Sequence, residues 1–461
     1  MRGTMLLNIL VGLAGLGIVV FVHEFGHLLG AKACGIQVEA FSIGWGKKLV
    51  GFKSKKGTEY CLSLFPLGGY CRMKGEKLFQ EALEADSREI PREPGTLFGA
   101  HPLKRVITYL AGPLGNLVFS IVILSLVWMV GFTTYTYGNR IILAADYPVL
   151  TGAGAEELPA EAAGFRTGDQ VISVQGHRIA TFADFQDAVA PYPDETLTVV
   201  VLREDGEHTL TVTPALDRDS GTGKIGVSAW IDPVVGWVEP GSAADLAGLA
   251  DGDRIVRANG LPVNQQMDLA ALLTGSPREL DLQVERGGSL FSTVLIPLYG
   301  QEGNPSLGLG FRQTEILSRE TNPLAALADG TAETFRTLFL TIKSLGLLFR
   351  GINLGEAVSG PLRITYFAGE IASQGFSLGI AQGFTSFFRF LSLISVALFF
   401  MNLLPIPLLD GGMILVNFIS LFRKKGINPR HFYRYQMVGL FILVMLILFT
   451  TFSDIHFFVN R

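Results

Sequence analysis

Cysteine is scarce in this chain: three in 461 residues, at Cys34, Cys61 and Cys71. All three precede the second long apolar stretch, and none lies in the large polar region after it, so no disulfide framework can staple that region. An odd number of thiols in a short, Lys-rich loop fits a reducing cytoplasm. Charge is also sparse, at 17% of residues, and no run of Lys and Arg is long enough to track a phosphate backbone. With a formal net charge of -4, nucleic acid is excluded as an expected partner. What fills the chain instead is apolar, 49% of residues, and that balance over this length reads as a membrane protein carrying water-facing modules.

Four apolar stretches are long enough to span a bilayer: residues 5–33, 103–132, 384–422 with an interruption, and 436–452. The first is longer than the apolar part of a signal peptide, and it is read as a retained span. Residues 32–105 hold thirteen Lys and Arg, and residues 423–434 hold five with no acid. Residues 133–384 hold sixteen basic against thirty acidic side chains. The positive-inside rule then puts the first and third loops in the cytoplasm, and the large region and both termini outside.

Within the first span, His23, Glu24, Phe25, Gly26 and His27 form the pattern HExxH. Positions i and i+4 share a helix face, so both imidazoles can reach one ion, with Glu24 beside them to take a proton from water. This is the arrangement of a zinc hydrolase, placed at membrane depth. A chance match and a metal-free polar cluster are the plainer readings. Both are weakened by the setting, because ionisable groups in an apolar span cost several kcal/mol each without a partner.

A catalytic zinc usually takes three protein ligands. The other histidines, His101, His177, His208, His431 and His456, lie outside the apolar stretches, and the acidic residues inside them are Glu24 and Asp410. Asp410 is therefore the expected third ligand. It follows Pro405 and Pro407, which must break the helix in mid-membrane, and precedes Gly411 and Gly412. A helix-capping role for Asp410 is compatible with ligation, since a carboxylate has two oxygens.

Residues 39–77 alternate as strands, with a turn at Pro66, Leu67, Gly68 and Gly69. They form hairpins that either offer an edge strand to an unwound peptide or serve only as structure. In the second span, Ala111, Gly112, Gly115 and Asn116 suit close helix packing. In the exterior region, Ala163 to Ile172 recurs 84 positions later as Ala247 to Val256, each copy followed by a glycine turn and a strand pair. Two copies of one small module are expected. The shared Ala-Gly-x-x-x-Gly-Asp pattern resembles PDZ domains of the bacterial envelope type, which bind peptides by strand addition; a spacer or lid is the alternative. From Thr331 on, Phe335, Leu338, Phe339, Ile342 and Leu345 alternate with Arg336 and Lys343, as in a helix lying on a membrane surface; a core helix packed against the second module is the plainer alternative.

HExxH together with Asn402 to Gly412, an NxxPxPxLDGG pattern, resembles the site-2 protease family of intramembrane metalloproteases. The two PDZ-like modules between the second and third of four spans narrow the likeness to the bacterial regulator of sigma-E protease group. Phe65 to Tyr70, and Gly112, Pro113 and Asn116, are similar to further family motifs. The resemblance implies one zinc per chain on His23, His27 and Asp410, Glu24 as catalytic acid/base, and Asn402 helping to position substrate. It implies a single-span substrate such as an anti-sigma factor already trimmed outside, with remnant signal peptides as a second class, and the PDZ pair as a size filter. The implied location is a bacterial inner membrane, with the active site toward the cytoplasmic side. A PDZ scaffold with a vestigial metal site and a metal transporter are the rival readings; the presence of Glu24 counts against the first and the single compact ligand set against the second.

The expected architecture is a polytopic α-helical membrane protein with four transmembrane helices, a cytoplasmic-side β-hairpin region and two tandem periplasmic α+β PDZ-like domains. Its boundaries are 1–33 for the first span, 34–102 for the hairpin loop and 103–132 for the second span. The modules occupy 133–217 and 218–298, and a linker with the surface helix 299–383. The interrupted third span takes 384–422, a cytoplasmic loop 423–435, and the fourth span with its tail 436–461.

Overall fold

A computed structural model describes residues 2–151, 158–218, 220–300, 304–347, 350, 359–423 and 427–459. Leu348 and Phe349 at the end of the expected surface helix, and Lys424 and Lys425 of the third loop, lie outside the described residues, as do the side chains of hairpin residues 65–67. The chain divides into two compact units, residues 1–132 with 317–461, and residues 133–316.

The first unit is helical. Among the described residues, four helices are long and apolar enough to cross a membrane: Asn8–Ala33, Pro102–Val130, Ile380–Leu403 and Pro429–Val459. The shortest has 24 residues, about 36 Å at 1.5 Å per residue, against a hydrocarbon core of about 30 Å. Spans 1 and 2 meet along small residues. A side chain on Gly26 would come within 2.2 Å of the Ala111 carbonyl oxygen, and one on Gly115 within 3.0 Å of that of Val22. Such close backbone approach is how helices associate where no hydrophobic drive exists between them. Spans 2 and 3 are tied by hydroxyls, Ser120 to Ser392 at 2.6 Å and Ser395 to the Asn116 carbonyl at 2.9 Å.

Three features of this unit differ from the sequence expectation. The helix expected on the membrane surface, Pro323–Leu347, packs along span 2, where Gly330 abuts Ser125 and Thr334 faces Ser120. A further helix, Pro361–Ser377, fills part of the expected linker and lies against span 1, with Gly12 on the Thr365 carbonyl and Gly369 on that of Asn8. The last helix, Pro429–Val459, starts inside the expected third loop and runs past Phe452 to include Asp454. That puts a carboxylate, Asp454, in a span-length helix in addition to Glu24 of span 1. It is fully buried and accepts the backbone N–H groups of Gly360, Leu362 and Arg363 at 2.8–3.2 Å, satisfying the orphan donors that open helix Pro361–Ser377.

After span 1 the strands Val38–Lys53 and Glu59–Met73 fold into one antiparallel sheet. The register pairs Phe41 with both Cys71 and Tyr60, so residues 69–73 form an edge that pairs on one side only among the described residues. All three cysteines are free.

The second unit contains two four-stranded sheets with the same strand order. In one, Gln170–Val174 lies between His177–Arg178 and Leu197–Arg203, with Gly206–Val212 outside. In the other, Arg254–Ala258 lies between Leu261–Pro262 and Leu280–Arg286, with Ser289–Leu295 outside. Each closes over its own apolar core, around Phe185 and Val199 in the first and Leu269 and Leu282 in the second. Each also carries a buried Asp clamped by Arg: Asp169 by Arg203 at 2.7 Å and Asp253 by Arg286 at 2.6 Å.

Hydrogen bonds from the Arg286 guanidinium hold the Asp253 carboxyl below the usual aspartate range. A depressed folded-state pKa contributes stability that is present above the unfolded value, about 3.9, and is lost as pH falls through the folded value. Asp253→Asn is therefore expected to destabilise this unit at neutral pH and to flatten its acid-unfolding limb below about pH 4. Urea titrations at several pH values, followed by tryptophan fluorescence of the full chain, check this; parallel pH profiles for the two proteins would contradict it.

Candidate metal centre

His23 and His27 lie one turn apart on span 1, and Asp410 opens the helix Asp410–Arg423 that follows the break in span 3. The break brings them together. His23 Nε2 lies 3.2 Å from Asp410 Oδ2, His27 Nε2 lies 3.3 Å from Asp410 Oδ1, and the two Nε2 atoms are 3.2 Å apart. One ligand atom from each falls within 4.8 Å of the others.

The surroundings set which ring nitrogens carry protons. His27 Nδ1 lies 2.9 Å from the Thr108 carbonyl, which can only accept, so the proton is on Nδ1 and Nε2 keeps its lone pair. His23 Nδ1 faces the Asn116 amide at 3.4 Å, and Asn116 Oδ1 is buried with no partner. Turning that amide by 180° would set Oδ1 against His23 Nδ1–H and leave His23 Nε2 free as well. Asp410 Oδ2 is likewise buried without a hydrogen-bond donor. With both rings neutral and the amide so turned, lone pairs from two imidazoles and a carboxylate would converge with no donor between them, a set that fits a zinc ion. Sequence analysis gave Asn116 a role in helix packing and a place in a family motif without linking it to His23, and the Thr108 carbonyl carries no sequence signal at all.

Glu24 projects beside this cluster, where the Cys71 backbone N–H faces its carboxylate. A side chain on Gly69 would approach Glu24 Cγ to 3.3 Å, so the strand edge and the carboxylate border the same space. Asn402 sits in the last turn of helix Ile380–Leu403, ahead of the break.

The break itself is strained. Leu408 has φ 74°, a left-handed conformation costing a bulky residue roughly 1–3 kcal/mol, of the kind that persists where surrounding structure fixes it. Gly411 and Gly412 permit the tight return: side chains there would come within 2.2 Å of the Leu403 and Ile406 carbonyl oxygens.

The family model described as peptidase family M50 matches residues 11–446, from the first span through most of the last. The chain belongs to peptidase family M50. That family is the site-2 protease family to which the paired motifs pointed, and membership makes the chain a metallopeptidase. Relatives align with it end to end. A protein of Treponema pallidum (strain Nichols) whose name describes a zinc metalloprotease is 37% identical over 98% of this chain and 99% of its own length. One of Borreliella burgdorferi with the same name is 30% identical over 98% and 99%. The "Regulator of sigma-E protease RseP" of Escherichia coli (strain K12) is 32% identical over 96% and 97%.

Proposed function

We propose that this M50 member hydrolyses a peptide bond within the membrane-spanning segment of a single-span protein, at a zinc held by His23, His27 and Asp410. The observation that carries the reading is the convergence of these three side chains, one of them on a different helix, beside Glu24 and between helices of spanning length. Zinc bound there would supply Lewis acidity, lowering the pKa of water and polarising a carbonyl.

The chain's own residues do the rest. The Thr108 carbonyl and the Asn116 amide hold the two imidazoles with their Nε2 atoms inward. Glu24 takes a proton from the attacking water and returns it to the leaving amine. Asn402 hydrogen-bonds the substrate backbone. A helical substrate hides its carbonyls in i to i−4 bonds, so it must unwind, and residues 69–73 offer an open strand edge beside Glu24 to hold the extended segment. Helix-breaking residues in the target should then speed cleavage.

The likeness to RseP supports a substrate of the anti-sigma-factor kind, trimmed beforehand on its outer side, and a role in envelope stress control; remnant signal peptides would meet the same chemistry. The distribution of Lys and Arg supports an inner-membrane protein with both termini and the second unit in the periplasm. There the two matching sheets are read as PDZ-like domains that exclude substrates still carrying a bulky outer domain.

The purified full chain in detergent, given a single-span substrate, is expected to cleave it, to lose activity to a zinc chelator and to regain it with added zinc. A folded, zinc-loaded chain that leaves several helix-destabilised substrates intact would overturn the proposal.

A further inference from the structure

The fourth span makes contact in an uneven way. Residues 440–449 are exposed on every face, and the buried positions of the helix fall at its two ends. At one end these are Pro429, Phe432 and Gly439, with half-buried Tyr435 between them. Phe432, Tyr435 and Gly439 follow one another at spacings of three and four and so share one face. Phe432 enters a cluster that includes Met413 and Val416, on the helix that Asp410 opens. Tyr435 donates its hydroxyl to the Gly412 carbonyl at 3.1 Å. Gly439 packs so closely on Pro407 that a side chain would come within 2.4 Å of that residue's carbonyl oxygen.

These contacts bracket the strained turn. Pro407 precedes Leu408, whose φ is 74°, and Gly412 lies two residues beyond Asp410. The turn's own hydrogen bonds are local: Ile406 N–H to the Leu404 carbonyl at 2.7 Å, Leu409 N–H to that of Ile406 at 3.2 Å, and Met413 N–H to that of Leu409 at 3.1 Å. A bulky residue in the left-handed region relaxes unless both flanks are held, and relaxation there would turn the Asp410 carboxylate away from the imidazoles. The Gly412 carbonyl has two lone pairs, so it can serve its helix and Tyr435 together. The tyrosine thereby fixes the rotation of the first turn, which is the turn that carries Asp410.

We propose that Tyr435, through its hydrogen bond to Gly412, and Gly439, through its contact with Pro407, are positioning residues for Asp410. The fourth span thus sets the geometry of the metal site without supplying a ligand. The inference rests on the metal-site reading above.

The test is zinc affinity of the full chain in detergent, by chelator competition, with the visible spectrum of the cobalt-substituted protein as a second readout. Tyr435→Phe removes one hydroxyl and no packing volume. It is expected to weaken zinc binding by about tenfold or more, the usual cost of losing a partner behind a metal ligand, and to shift the cobalt bands, while thermal unfolding of the metal-free protein stays near wild type. Tyr433→Phe, an exposed site on the same helix, is expected to change neither readout. Gly439→Ala should have the larger effect, and if it fails to fold Tyr435→Phe still decides. Wild-type zinc affinity and cobalt spectrum in Tyr435→Phe would overturn the inference. Asp410→Ala separates the two readings: if it loses zinc while Tyr435→Phe does not, only the positioning role falls. If Asp410→Ala binds zinc as wild type does, the metal site itself is wrong and this inference falls with it.

Discussion

Glu24→Gln is expected to lower peptide-bond cleavage by about 10²–10⁴-fold while leaving zinc content near the wild-type level. The two side chains have nearly the same shape, so the helix and its neighbours should not change. What changes is proton chemistry: a carboxylate can take a proton from water and hand it to the leaving amine, and an amide cannot. Zinc content should persist because the clustered donor atoms come from His23, His27 and Asp410, without Glu24. Measuring cleavage rate and bound zinc on the same preparation makes the result decisive. A variant that keeps its zinc and cleaves at the wild-type rate would remove Glu24 from the reaction.

Gly112→Ala is expected to strip the metal site without touching a ligand. A side chain at residue 112 would stand 2.3 Å from His27 Nε2 and 2.4 Å from Cε1, well inside contact distance. The crowded atom is the proposed zinc ligand itself, and the ring cannot retreat while its Nδ1–H stays on the Thr108 carbonyl. Either that hydrogen bond breaks or spans 1 and 2 move apart, and Gly26 on Ala111 shows how little slack the seam has. Zinc affinity should fall by at least about tenfold, with activity following the metal. Chelator competition on the purified variant checks this, and wild-type affinity would mean that the Gly112 contact does not constrain His27.

The cluster of His23, His27 and Asp410, the proposed metal centre, was legible where chemistry restricts residue choice. Two histidines at i and i+4 and a lone aspartate after two prolines are costly inside an apolar run, so each stood out as an anomaly needing a partner. The groups behind the ligands were not legible. A backbone carbonyl such as that of Thr108 has no sequence signature, and Asn116 sits in a small-residue seam whose packing role hides its contact with His23. Tyr435 and Gly439 were invisible for other reasons: Tyr435 fell in the expected loop 423–435, and Gly439 lies in an apolar stretch exposed along most of its length, where almost any apolar residue is tolerated. Asp454 escaped because the apolar window closes at Phe452, although the carboxylate is satisfied inside the structure by three backbone N–H groups. Helix Pro361–Ser377 was hidden by glycines and polar residues that suit a linker equally well, and its contacts with span 1 and span 3 and its cap by Asp454 explain why it is a helix.

The position of the cut bond tests the central claim most directly. A single-span substrate incubated with the zinc-loaded chain should give two products whose masses place the cleaved bond inside the hydrophobic segment, and neither product should form with Glu24→Gln. Products cut only in the water-exposed flanks, by a folded and zinc-loaded chain, would contradict a metal centre that works within the membrane.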